Sequence, residues 1–279
     1  MTDDVVLNQA AFSQLAAEAR RRGLRRLVGP LHFSTYFRYR LRLGAAPSWR
    51  QFDREPVNPP YYPRLLGQLG FQPGLTFESR RLGPAAVALV YEQQPAALRQ
   101  LAALPFDFIP LNAESWVRLE DEIFELIQRV FGLNPAYRAV RRAQFNLLYN
   151  AGYAAGLCPH SSVLFRHRPT GQLAALSLCQ PNYTPLKLPP TETPDFQQHY
   201  PRLTQRTLLA KTVGVHPDFR SQGLQALLAA YAMRSFREFY KDIIFCLMRA
   251  DNLSLRFTDG LPMEVAQYAL FERALPAES

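Results

Sequence analysis

Apolar and polar positions along this chain change period several times, and each change marks an element. From Thr207 to Val215 (TLLAKTVGV) the run is nearly continuously apolar, with Thr212, Val213 and Val215 β-branched, which predicts a buried strand. His216-Pro217-Asp218 then turns the chain. After Gly223, Leu224, Leu227, Leu228 and Tyr231 recur at helical spacing and predict a long helix. Earlier, Asn8 to Arg22 sets Ala11, Phe12, Leu15, Ala16 and Ala19 on one face ahead of a stopping Gly23, the pattern of an amphipathic helix. Leu24 to Leu31 predicts a short strand. The following HFSTYFRYRLRL alternates aromatics and arginines, as a half-buried edge strand or a binding surface would. Prolines 59 and 60 open a helix that Gly70 closes, and Leu75 to Leu82 predicts a returning strand. Residues 83–104 read as a transition broken by Pro84 and Pro95, with a short helix over Ala97 to Leu104.

Beyond residue 105 a complete domain can be followed. Phe106 to Leu111 predicts a strand, and Trp116 to Phe131 predicts a helix with Val117, Leu119, Ile123, Leu126, Ile127 and Val130 inward. Tyr137 to Tyr153 predicts a second helix. Ser161 to His167 and Gln172 to Cys179 form a hairpin about Pro169-Thr170-Gly171. Gln180 to Gln205 is a long proline-rich connection; loops of this length inside a domain are often functional, so Asn182, Tyr183, His199 and Tyr200 are candidate substrate contacts, with a passive surface loop the equal alternative. Asp242 to Met248 predicts a buried strand, the residues from Arg249 the start of another helix, and Glu264 to Phe271 a closing strand.

Composition narrows the class of partner. Of 32 basic residues only Lys187, Lys211 and Lys241 are lysines, and the net charge of +9 favours anionic partners that arginine can grip in a forked geometry. Nucleic acid would be such a partner, but no long basic run or nucleic-acid signature accompanies the charge. Cys158, Cys179 and Cys246 are widely spaced and odd in number, as small core residues in a reducing compartment would be, and no His/Cys cluster argues for a metal. The first residues, MTDDVVLNQAAF, lack an apolar signal core and no apolar run reaches spanning length, so the expectation is a cytoplasmic protein with no membrane partner.

The strand-to-helix junction carries the chemistry. Amides in the first turn of a helix have no intrahelical partner and sit at the positive end of its dipole, so they accept an anion. Gly223 leaves out a Cβ where a phosphate would approach, and Arg220 adds a cation at the rim. An ordinary strand-to-helix connection with a crowding-relieving glycine is the alternative. The order Val213-Gly214-Val215, Arg220, Gly223 resembles the signature of the GNAT superfamily of acyl-CoA-dependent N-acyltransferases, although Gln225 stands where Gly or Ala is usual.

That resemblance implies an α/β (α+β) GNAT fold with a mixed central sheet flanked by helices over residues 105–279. Asn58 to Leu82 resembles more weakly the last helix-to-strand turn of such a domain. Residues 1–104 are therefore expected to be a partial GNAT-like unit that packs against the second and continues its sheet. By the same resemblance the backbone of Arg220, Ser221, Gln222, Gly223, Leu224 and Gln225 would hold the diphosphate of acetyl-CoA. Val213, Gly214 and Val215 would flank its pantetheine arm, and Asn252 would stand near it. The implied activity is transfer of an acetyl group to the amine of a small molecule or peptide. The tyrosine that many members carry seven residues after the Asn is Asp259 here, so Ser254 and Tyr240 are the candidate acids. A non-catalytic acyl-CoA-binding scaffold is the alternative that this departure suggests.

Overall fold

The computed structural model describes residues 1–32, 35–93, 103–132, 134 and 137–276. Their strands join in one sheet. Helix α1 (Val5–Arg21), capped by the Asp4 side chain on Leu7 N–H, leads into β1 (Arg26–Gly29) and β2 (Leu41–Leu43). Helix α2 (Tyr62–Gln68) and β3 (Gln72–Leu82) follow, then α3 (Pro84–Gln93). Next come β4 (Phe106–Pro110), α4 (Ala113–Phe131), the short α5 (Arg142–Leu148) and α6 (Ala151–Ala155), and the hairpin β5 (Val163–His167) and β6 (Leu173–Pro181). The chain ends with α7 (Phe196–His199), β7 (Thr207–Val215), α8 (Leu224–Met233), α9 (Phe236–Phe239), β8 (Asp242–Arg249) and β9 (Glu264–Ala274).

The strand order is β1-β9-β3-β8-β7-β6-β5-β4, with β2 also on β9, and β7–β8 is the parallel pair among antiparallel neighbours. A parallel pair needs a crossover, which α8 and α9 supply. The decisive feature of the topology is β3. It runs between β8 and β9, pairing Phe77 with Arg249 on one side and with Tyr268 on the other. The early strand thus lies inside the sheet formed by the later strands.

Two helical layers cover the sheet. On one face α4 buries Trp116, Ile123 and Leu126 against Leu164, Leu176 and Leu178; on the other α8 buries Leu224, Leu227 and Tyr231 against Phe165, Ala175 and Val215. The alternation of sides along β5 to β7 is that of a strand buried on both faces. Helix α4 forms because its apolar residues recur on one stripe and Asn112 and Ser115 cap each other at its start.

Several expectations change. HFSTYFRYRLRL is not a long strand: the chain doubles back, bridges Leu31 to Tyr39, and is extended again only at Leu41–Leu43. Arg40 at φ +69° breaks the extended run. Residues 84–93 are helical rather than transitional, because Pro84 occupies a first-turn position where its missing N–H costs nothing. The helix expected over 97–104 falls largely outside the described residues. Tyr137 to Tyr153 divides into α5 and α6, since Asn150 caps a new helix through Tyr153 N–H. The segment after β8 is a short 3-10 turn, Leu253–Thr258, rather than a longer helix.

Candidate functional site

Strands β7 and β8 begin together and then part. Thr207 to Ala210 pair in register with Asp242 to Phe245, and the ladder ends there. The cause is a bulge on each strand. On β7, Cys179 faces Ala210 while Leu178 faces Thr212, so Lys211 is the extra residue. On β8, Glu78 faces Met248 while Arg80 faces Phe245, leaving Cys246 and Leu247 opposite Ser79. Leu247 has a φ of +55°, and its N–H donates to Ser79 Oγ at 2.9 Å. Each strand is therefore redirected immediately past the last paired residue, opening a cleft toward their C-terminal ends.

The backbone of β7 faces that cleft in alternation. His216 N–H donates 2.8 Å to Ala174 O directly opposite it. By the antiparallel pattern Gly214 and Thr212 also turn their polar groups to β6, and Val213 and Val215 turn theirs to the cleft. Arg220 fits this arrangement, its Nε donating to Val215 O at 3.4 Å while Nη2 reaches Val130 O at 3.4 Å. Gly214 serves the sheet differently: a Cβ there would lie 2.4 Å from Val130 Cγ1, so the glycine lets α4 approach β7.

Past His216 the chain makes a 3-10 turn, Pro217–Gln222, and reaches Gly223 at φ +68°, the residue that admits α8. No side chain caps α8, and a Cβ on Gly223 would meet nothing within 4 Å. Arg220, Ser221, Gln222, Gly223 and Gln225 are exposed, whereas the Leu224 side chain is anchored in the core beneath. The first-turn amides therefore stand at an exposed, positively polarised helix start. His216 is a buried brace of the loop, its Nδ1 accepting from Asp218 N–H at 3.3 Å and its Nε2 3.1 Å from the Gln172 amide. The residues present fit a diphosphate at this turn and an amide-bearing arm along Val213.

Other residues singled out in the sequence lie elsewhere. Tyr240 immediately precedes β8, at the closed end of the parallel pair, buried among Tyr183, Tyr200 and Phe236. Burial, with Cys158 beside it, pushes its phenol well above the ordinary tyrosine range. Asn182 and Tyr183 follow β6 and reach the same closed end, where Asn182 N–H donates to Thr207 O and Tyr183 OH donates to Gly156 O at 3.0 Å. Asn182 Nδ2 holds the carbonyls of Arg50 and Gln51 at 3.2 and 3.3 Å. The fold brings none of these three to the cleft. Their side chains are engaged in packing and loop contacts.

At the open end stand Asn252, exposed, and the 3-10 turn that contains Ser254, whose side chain is outside those described. Asp259 is exposed, with Oδ1 3.6 Å from Arg80 Nη1. Arg80 was not anticipated. From β3 it donates to Glu78 Oε1 through Nε at 2.7 Å and, through Nη1, to Leu255 O at 2.8 Å and Thr258 Oγ1 at 2.5 Å, clamping the turn at the cleft mouth. Lys211 and Asp53 were also missed as a pair; Nζ lies 3.2 Å from Oδ2, joining β7 to the loop between β2 and α2. Both contacts join positions far apart in the chain, and no local spacing announces them. Among the described residues no group of three or more His, Cys, Asp or Glu could hold a metal ion, and no helix is long and apolar enough to cross a membrane.

No protein-family model matches the chain, and no curated protein does. Among solved structures it is similar to a GCN5-related N-acetyltransferase from Sphaerobacter thermophilus, at 15% identity and a TM-score of 0.45, over 77% of this chain and 57% of that one. A tandem GNAT protein from the clavulanic acid biosynthesis pathway aligns over 97% of this chain and 70% of its own at 11% identity, TM-score 0.44. A GCN5-related N-acetyltransferase from Kribbella flavida does so over 77% and 64% at 18% identity, TM-score 0.38. The chain thus spans little more than half the length of the first. The strand, helices, hairpin, parallel strand and glycine-started helix follow one another in the order expected from the sequence, around a β7–β8 pair that opens at its end.

Proposed function

We propose that the protein is an acetyl-CoA-dependent N-acetyltransferase that acylates an amine by direct transfer. The supporting observation is the conjunction of the β7–β8 cleft with an uncapped helix start at its rim. The exposed turn of residues 220–225 follows the Val213–Val215 strand end, beyond the last residue that β7 pairs with β8. The bound coenzyme would supply a thioester whose carbonyl carbon is open to an amine. The chain's own contribution is to position and polarise. The α8 amides and Arg220 would hold the diphosphate, and the Val213 backbone would orient the arm. The cleft between the bulged strands would bring the amine to it from the α4 face. As the new amide bond replaces the thioester C–S bond, the proton lost by the nitrogen would pass through water to the departing thiolate, since Tyr240 lies at the closed end and Asp259 occupies the position of the family's tyrosine.

The same two facts favour, as a second reading, a coenzyme-binding protein without turnover. Titration calorimetry with acetyl-CoA tests the binding, and release of free thiol across a panel of amines tests the transfer. Gly223→Asp should abolish coenzyme binding, because it puts a negative charge at the cradle. Asp is tolerated at positive φ better than most residues, so folding should be only mildly affected. Gly223→Asn, equally bulky and neutral, should bind measurably. Unchanged affinity in the Asp variant would remove the site.

A further inference from the structure

On the α4 face of the cleft, the N-terminal loop gathers cations that the chain's own carboxylates do not balance. The loop's place is fixed by Tyr36, which packs in the α4 cluster and lies 3.0 Å, hydroxyl to hydroxyl, from Tyr137. Lys211, the bulged residue at which β7 leaves β8, has a side chain 16% exposed and donates to Asp53 O at 3.1 Å as well as to its carboxylate. Arg54 lies 3.6 Å from the same carboxylate through Nε and donates to Tyr36 O at 3.1 Å through Nη1. Arg40 is 8% exposed, with its guanidinium carbon 3.8 Å from the Tyr39 ring centre and 4.2 Å from that of Phe77. Its Nη1 donates to Leu247 O, at the β8 bulge, and its Nε has no partner.

The opposing carboxylates are already committed. Burial would raise the Asp53 carboxyl, but Lys211, Arg54 and Arg38 outweigh it and hold the group below its ordinary value. Glu55 accepts from Tyr268 OH at 2.7 Å, Trp49 Nε1 at 3.1 Å and Phe52 N–H at 3.3 Å, and forms no ion pair among the described residues. One carboxylate is therefore shared among three cations, and Arg40 has two rings, the Leu247 carbonyl and the Tyr39 hydroxyl beside it but forms no ion pair among the described residues. Arg40 and Lys211 are largely out of water while Arg54 reaches it, and a cation held away from water is costly unless an anion joins it. Arg40 and Arg54 also both sit at positive φ, +69° and +64°, conformations that arginine adopts only against a steric cost and that concentrate at functional sites.

We infer that the acceptor amine carries a carboxylate, received on the α4 face of the cleft by Arg54 and Lys211 with Arg40 behind them. This rests on the acyl-transfer reading for the word acceptor, but its test does not require turnover. With coenzyme A present, the full-length protein is titrated calorimetrically with amines supplied in matched pairs, amino acids and dipeptides against their C-terminal amides. At least one acid should bind about tenfold more tightly than its amide, the scale of a charge-assisted contact. Arg54→Gln and Lys211→Met should each reduce that preference while leaving coenzyme affinity, the control for folding, unchanged. Acids that bind no better than their amides, or a preference that survives both substitutions, would overturn the inference. A protein that binds acids selectively yet releases no thiol from acetyl-CoA would instead remove the transferase reading alone.

Discussion

Gly214 and Gly223 stand on either side of the same turn and answer to different physics. Gly214 has ordinary strand geometry and no room: its missing Cβ is where Val130 packs. Gly214→Ala should cost about 1–3 kcal/mol by overpacking, and Val130→Ala should relieve part of it; a double-mutant cycle in urea denaturation measures the coupling. Gly223 has room but an unusual φ, so its substitution strains the backbone rather than the packing. His160 shows a third kind of constraint. It stacks on Phe239 with ring centres 3.9 Å apart, and burial lowers its pKa, with Arg234 pushing the same way against Glu238. The unfolded chain then binds the extra proton more readily, so stability from this residue is present above about pH 6.5 and lost as pH falls through the lower folded value. His160→Gln should flatten the thermal stability profile between pH 7 and 5 in scanning calorimetry.

At the scale of elements, the cleft depends on two bulges and one clamp. The bulges at Lys211 and at Cys246–Leu247 separate β7 from β8, and Arg80 fixes the turn that lines their open end. Arg80 and Glu78 are mostly buried, with side chains 15% and 13% exposed. Arg80→Met would leave Glu78 unpaired and the turn untied. A loss of about 3 kcal/mol is expected in chemical denaturation. Arg80→Lys keeps the charge without the fork and should fall between the two. Weaker coenzyme binding should accompany the loss of order at the turn, since Asn252 stands in the same connection.

For the molecule as a whole, the central question is what β3 holds together. It pairs with β8 along one edge and β9 along the other, so removing it would leave two open edges inside the sheet. Expressed alone, residues 105–279 should lack a cooperative unfolding transition and should aggregate, while the full chain unfolds in one step; circular dichroism during heating decides between them. A cooperative transition in the fragment would mean that β9 can close directly onto β8.

The sequence alone determined those features whose cause is local. The apolar run Thr207–Val215, the helix that starts at Leu224 and the glycine between them follow from periodicity and φ preference, which neighbouring residues decide. The helix of 113–131 and the hairpin of 163–181 were legible for the same reason. Tertiary structure decided whatever depends on contacts between distant positions. It put Tyr240, Asn182 and Tyr183 at the closed end of the cleft, because the register of β6 and β8 on β7 fixes which end each loop reaches. It turned residues 35–40 of the aromatic and arginine stretch into a folded loop, and it set Asp53 on Lys211 and Arg80 on Leu255. These contacts join residues more than 150 positions apart, and no pattern of neighbours encodes such a meeting; it is fixed only when the sheet closes.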